Sequence, residues 1–200
     1  MEEKYKLTEE TISVNGRTLY RIEALKDFND IKKGDKGGYV ENEENLSQSG
    51  GCWVYRDAQV YGNAVVYGDT IVCGSAKIYG NAVVCDDAEV YDNAVVHGEA
   101  QVYGHALVYG NMEMYGNTWV YGDAEVYGDA KVFGNAKVYG DAQIYGDAIV
   151  CDNAQIYGKA AVHDDAVVCD NAVVCDNAEV YEDAVVCGDM VVCGNAVVYN

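Results

Sequence analysis

From Val54 to Val198 every sixth residue is aliphatic: 21 valines, three isoleucines and Met114 fill 25 positions, with no residue inserted or lost. Two residues before each, from Ala58 to Ala196, alanine stands in 20 of 24 cases, the exceptions being Thr70, Met112, Thr118 and Met190. A spacing of two puts both on the same face of a short strand. The positions that follow carry mostly Tyr, Gly and Asn or Asp, and the last three types tolerate left-handed backbone, so the chain turns there. Strand and corner alternating at a fixed period predict a solenoid, whereas a helix would repeat at 3.6 residues. Each buried valine contributes about 1.5–3 kcal/mol, and only neighbouring coils can supply that burial.

Residues 1–50 differ in kind. The stretch ISVNGRTLYRI sets Asn15-Gly16 between two alternating segments and predicts a β-hairpin. Residues 24–34 predict a short helical turn. Gly37-Gly38-Tyr39-Val40 and Asn45-Leu46-Ser47 read as irregular first rungs. The chain therefore divides into an N-terminal hairpin and capping segment, 1–50, and a repeat solenoid, 51–200. The cap covers an edge that would otherwise invite pairing; the same segment could instead present a partner-binding head.

The unit Ala-x-Val-Tyr-Gly-Asn/Asp resembles that of the hexapeptide-repeat proteins, in which an aliphatic residue is followed four positions later by a small one. The resemblance implies an all-β, left-handed parallel β-helix with three hexapeptides per coil. About 18 residues per coil would give residues 52–200 about eight coils and a length of about 40 Å. The tandem VYGNA and VYGDA units, with the segment KGDKGGYVENEENLS ahead of them, are more closely similar to YdcK-like proteins and related phage and prophage proteins.

Residues 18 apart then lie above one another, and the slot after each aliphatic residue forms three outward columns. Fifteen of the chain's 18 tyrosines occupy this slot, Tyr91, Tyr109, Tyr127 and Tyr145 in a single column. Stacked rings cover the rungs, and hydroxyl-tipped aromatic stripes beside acidic corners also suit partner recognition. Seven of the eight cysteines share the slot, so that Cys151, Cys169 and Cys187 stack, as do Cys175 and Cys193. They read as reduced thiols replacing tyrosine. With no CxxC pair, no metal site or cofactor is expected.

Charge adds a direction. The 13 basic and 33 acidic residues leave a net charge of −20; residues 1–50 hold 8 and 11 of them and the rest 5 and 22, so −17 lies in the repeats. Such a field repels nucleic acid and anionic membranes, excludes direct binding to either, and favours a basic or nucleic-acid-binding protein partner. The expected binding residues are the four tyrosines named above with the corner acids Asp123, Asp129, Asp141 and Asp147. The first residues, MEEKYKLTEE, lack a signal-type apolar core, and the expected location is cytoplasmic.

In the last coils the outward mid-strand slot turns apolar, with Val167, Val173, Val185, Val191 and Val197. A patch of this kind predicts a homo-oligomer formed through the C-terminal coils. The resemblance to hexapeptide-repeat proteins also implies an alternative, an acyl-CoA-dependent acyltransferase, typically trimeric with a catalytic histidine at a subunit cleft and a loop extruded from the coils. Here His97 and His163 sit in the tyrosine slot and His105 at a corner, with no insertion beside any of them. The sequence thus reads as a non-catalytic acidic solenoid that binds a protein partner or acts as a self-associating scaffold. Its most specific form would be a phage-derived decoy of nucleic acid acting on a host factor.

Overall fold

A computed structural model describes residues 3–200 as an all-β parallel solenoid of three walls. Strand β1 (Tyr5–Val14) and strand β2 (Arg17–Ala24) form an antiparallel hairpin about Asn15-Gly16, and β2 continues antiparallel onto β3 (Lys36–Val40). From β3 onward all wall pairings are parallel. Wall I is the 11-stranded sheet that begins with the hairpin and runs from Gln59–Val60 to Val185–Val186. Wall II has eight strands, from Val65–Val66 to Val191–Val192, and wall III nine, from Trp53–Val54 to Val197–Val198.

Most rungs are only two residues long, the outward residue and the aliphatic one after it. Successive coils are 18 residues apart in register, as Val54 against Val72 and Tyr121 against Tyr139 show. Amide to carbonyl bonds join the coils, for example Tyr55 N to Val72 O at 2.7 Å and Tyr127 N to Ile144 O at 2.9 Å. The alanine and aliphatic slots of the middle coils fill the interior completely and have no exposed surface. The larger exceptions Met112, Met114 and Thr118 fall in one coil and are equally buried.

The residue with left-handed backbone is the one directly after the tyrosine slot. Gly128, at φ 78°, shows why glycine dominates there: a Cβ would lie 2.9 Å from the amide nitrogen and carbonyl oxygen of Gly146 in the next coil. Aspartate takes the same conformation at Asp86, Asp92, Asp152, Asp164, Asp170 and Asp176. The following Asn/Asp slot builds cross-coil side-chain bonds, as in the run Asn117, Asn135, Asn153, Asn171 and Asp189, with spacings of 3.0–3.3 Å.

Residues 39–54 complete one turn ahead of the strict repeat, because Tyr39-Val40 pairs with Gln59-Val60 and Leu46 bridges to Val66. Added to the eight coils of residues 52–200, this turn makes about nine, and wall I accordingly holds nine strands in parallel from β3 onward. Tyr5, Ile22, Ile31 and Leu46 plug the mouth of the solenoid, and Trp53 receives the edges of the Tyr5 and Phe28 rings at 6.2 and 5.4 Å. The helical turn expected in residues 24–34 does not form. Phe28 and Ile31 pair as an antiparallel bridge, Gly34 N donates to Ala24 O, and Asp27 accepts from Lys33 N, so backbone pairing holds the loop instead. A 3-10 turn does occur at Glu43–Asn45, with the Asn42 and Asn45 side chains capping each other's backbone. Among the described residues no helix is long and apolar enough to cross a membrane.

Candidate interaction surface

The corner between walls III and I carries the column Tyr91, Tyr109, Tyr127 and Tyr145, whose rings stack nearly parallel with centroids 4.7–5.0 Å apart. His163, Tyr181 and Tyr199 continue it at 4.6–5.5 Å. The coil spacing sets these distances, so a flat ring in each coil is enough to build a continuous aromatic ridge. Burial pushes the Tyr91 hydroxyl up to about 12, with Tyr109 and Glu89 adding to the shift. Burial raises Tyr109, Tyr127 and Tyr145 as well, and nearby Glu125 adds to the first two, so the ridge presents neutral hydroxyls.

Asp129 and Asp147 lie at the same corner, two residues after Tyr127 and Tyr145. Asp123 and Asp141 lie at the corner between walls II and III, just before the rungs Glu125–Val126 and Gln143–Ile144. The expected residues thus frame a single wall: a coil of wall III reads Asp123, Glu125, Tyr127, Asp129 from edge to edge. Asn111 donates to Asp129 at 2.8 Å, and among the described residues no lysine or arginine forms an ion pair with any of the four aspartates.

Not all of the acidity is free for a partner, and this was missed at sequence level. Aspartates in the left-handed slot accept from the backbone of the next coil: Asp170 from Gly188 N at 2.9 Å, Asp176 from Gly194 N at 3.0 Å and Asp86 from Gly104 N at 3.3 Å. The signal available was their position, since they stand where the repeat calls for glycine. The histidines also have carboxylate neighbours, His163 with Asp164 at 3.2 Å, His97 with Glu113 at 3.3 Å and His105 with Asp87 at 3.7 Å.

The C-terminal valines do not form one patch. Val167 stacks under Val185 on wall I, Val173 under Val191 on wall II, and Val197 lies over Glu179 on wall III. Val185, Val191 and Val197 are 56%, 67% and 50% exposed, whereas Val167 and Val173 are half-buried beneath the next coil. A six-residue period distributes one outward slot to three walls in turn, so the apolar residues make a collar around the last coil. The cysteines need a second correction. Cys175 and Cys193 are joined by a disulfide, because equivalent slots of successive coils bring their Cα atoms to 4.6 Å. Cys52, Cys73, Cys85, Cys151, Cys169 and Cys187 are free thiols.

The surface hollows are shallow. One of about 190 Å³ lies between Arg17 of the hairpin and the stacked Tyr61 and Tyr79, with Asn63 and Asn81 beside it.

A family model described as the YdcK β-solenoid repeat matches residues 58–74, 100–116 and 142–158. Those stretches fall on the coils described above. A protein of Escherichia coli (strain K12) described as "Uncharacterized acetyltransferase YdcK" is 37% identical over 71 residues, covering 31% of this chain and 22% of that protein's length. Repeat pattern, three-walled architecture and these matches agree: the chain is a repeat β-solenoid whose coils are similar to the YdcK solenoid repeat.

Proposed function

We propose that this protein is a non-catalytic acidic scaffold that binds a basic, nucleic-acid-binding protein along wall III. The observation that carries the reading is the framing of that wall by Asp123, Asp129, Asp141 and Asp147, none ion-paired to lysine or arginine among the described residues, beside a continuous tyrosine ridge. Carboxylates repeated once per coil offer a partner a row of charge comparable to a phosphate row, and tyrosines supply rigid contact area at low entropic cost. In its most specific form the wall acts as a decoy of nucleic acid. Capture of partners from the natural host, followed by competition with duplex DNA, tests it. Binding should weaken steeply with salt and fall at least about tenfold when the four aspartates become asparagine. Salt-independent binding, or binding that ignores the fourfold change, sinks the reading.

The valine collar supports self-association of the scaffold, because apolar side chains exposed around a coil end favour covering by a second copy. A single monomeric species in sedimentation at micromolar concentration would remove this part of the reading, and Val191→Lys should disperse the oligomer.

A second reading, acyl transfer, rests on the similarity to a protein described as an uncharacterised acetyltransferase. His163, with Asp164 3.2 Å away, is the histidine best placed for it, since the carboxylate would orient the ring. Saturable micromolar binding of acetyl-CoA that His163→Ala abolishes would favour this reading over the scaffold.

A further inference from the structure

Cysteine is distributed unevenly in the tyrosine slot. Cys73 stands between Tyr55 and Tyr91 in its column, and Cys85 between Tyr67 and Tyr103, each an isolated replacement. Toward the end of the rod the thiols stack on one another instead. Cys151, Cys169 and Cys187 follow in successive coils of one corner, and Cys175 and Cys193 in the next. The residue after the slot also changes. Of the 15 slot tyrosines only Tyr91 is followed by aspartate, yet four of the seven slot cysteines are: Cys85, Cys151, Cys169 and Cys175. That position is left-handed, φ 59° at Asp170, where glycine is favoured and a side chain is strained. Aspartate therefore accompanies cysteine at a position where backbone energetics alone select glycine.

The consequence in three dimensions is a compact donor set. The sulfurs of Cys169 and Cys187 and a carboxylate oxygen of Asp170 all lie within 4.8 Å of one another. Cys187 and Asp170 are exposed and Cys169 is half-buried, so the set opens to solvent. Asp170 is held in place by accepting Gly188 N at 2.9 Å through one oxygen, Oδ2. The equivalent set one corner on, Cys175, Asp176 and Cys193, has the same composition, with its sulfurs joined in the disulfide.

We propose that Cys169, Asp170 and Cys187 form a binding site for a thiophilic divalent cation of the zinc and cadmium class. Two thiolates and one carboxylate match the soft and borderline ligand preferences of these ions, and solvent supplies the fourth position. Bonds of about 2.3 Å to a tetrahedral centre hold two sulfurs about 3.8 Å apart, which side-chain rotation within a rigid pair of coils reaches. On binding, two thiol protons pass to solvent, two metal–sulfur bonds and one metal–carboxylate bond replace three metal–water bonds, and no electron moves. The site would clamp the last two coils together at the corner beside the Cys175–Cys193 bond.

The test is an anaerobic titration of the full chain with Cd²⁺, without reductant so that the Cys175–Cys193 disulfide stays closed, read by thiolate-to-metal charge-transfer absorption. One equivalent should bind with that signature, and Zn²⁺ should displace it. Cys187→Ser, on the exposed last coil, should keep the solenoid's circular dichroism and weaken binding at least about 100-fold. Asp170→Asn, which retains an acceptor for Gly188 N, should weaken it about tenfold, and Cys73→Ser should leave it unchanged. Uptake without the charge-transfer band, which would place the ion on surface carboxylates, overturns the proposal. So does a Cys187→Ser chain that binds as tightly as the unaltered one.

Discussion

The ammonium of Lys4 lies 2.9 Å from the carbonyl oxygen of Cys52 and 3.2 Å from its sulfur, buried at the mouth of the solenoid. It also reaches the carbonyl oxygens of Gly50 at 3.2 Å and Ser49 at 3.5 Å. The first turn has no preceding coil whose amides could donate to these carbonyls, and one cation with three protons satisfies them together. Burial pushes the Lys4 pKa down and the Cys52 thiol up, so the pair is held by geometry at a real desolvation cost.

Lys4→Met should therefore remove the donor to the Cys52 and Gly50 carbonyls and lower stability by about 2 kcal/mol, seen as a lower urea midpoint. Lys6→Met, which removes only a surface pair with Glu23, should cost less than about 1 kcal/mol. Equal effects from the two changes would show that the Lys4 contacts are not what closes the mouth.

Among the described residues the buried Thr118 hydroxyl has no hydrogen-bond partner, whereas that of Thr70, in the same repeat slot, donates to Tyr67 O at 2.8 Å. Thr118→Val keeps the shape and removes the orphaned group, so it should stabilise the protein by about 1 kcal/mol. Thr70→Val discards a made bond and should not stabilise. Thermal unfolding of the two variants checks the sign of each.

Gly122 and Gly188 both have left-handed backbone, at φ 77° and 70°, but only Gly122 has a coil above it. A Cβ there would meet Gly140 N at 3.0 Å, while one at Gly188 would meet nothing within 4 Å. Gly188→Ala should cost the conformational term alone, about 1–2 kcal/mol, and Gly122→Ala clearly more. If denaturation midpoints shift equally, the close approach of coils adds nothing to the glycine requirement.

Alkaline titration should unlock the tyrosine ridges. Folding raises Tyr67 and Tyr91 to about 12, the first chiefly through a hydrogen bond with Cys85 and the second through burial. A phenol ionises near pH 10 in the unfolded chain, so the folded state binds more protons between those values. Their contribution is fully present below pH about 10 and is lost as pH rises through about 12. Tyrosinate absorbance should therefore rise above pH 10 together with loss of the β-sheet signal. Rings that titrate near 10 while the sheet signal persists would contradict the Cys85 hydrogen bond assigned to Tyr67 and the burial assigned to Tyr91.

Much of this architecture was legible in the chain because a solenoid turns sequence period directly into spatial period. The 18-residue register, the buried alanine and aliphatic slots and the tyrosine columns all follow from a repeat with no insertion, since each residue's neighbours are fixed by counting. The hairpin at Asn15-Gly16 was equally local. The loop at 24–34 was not, because its polar residues suit a helical turn and only pairing of Ala24 with Gly34 and Asp35 decides against one.

The sequence by itself determined the solenoid, its columns and the concentration of acid in the repeats. Tertiary structure decided what those columns mean. It showed that Asp123 and Asp141 share a wall with Tyr127 and Tyr145 although they lie at a different corner. The valines of the last coils proved to encircle the rod, and the sulfurs of Cys169 and Cys187 and of Cys175 and Cys193 were brought together. The physical reason is that a repeat fixes which residues lie above one another, but the three-sided closure of each coil fixes which columns face the same way.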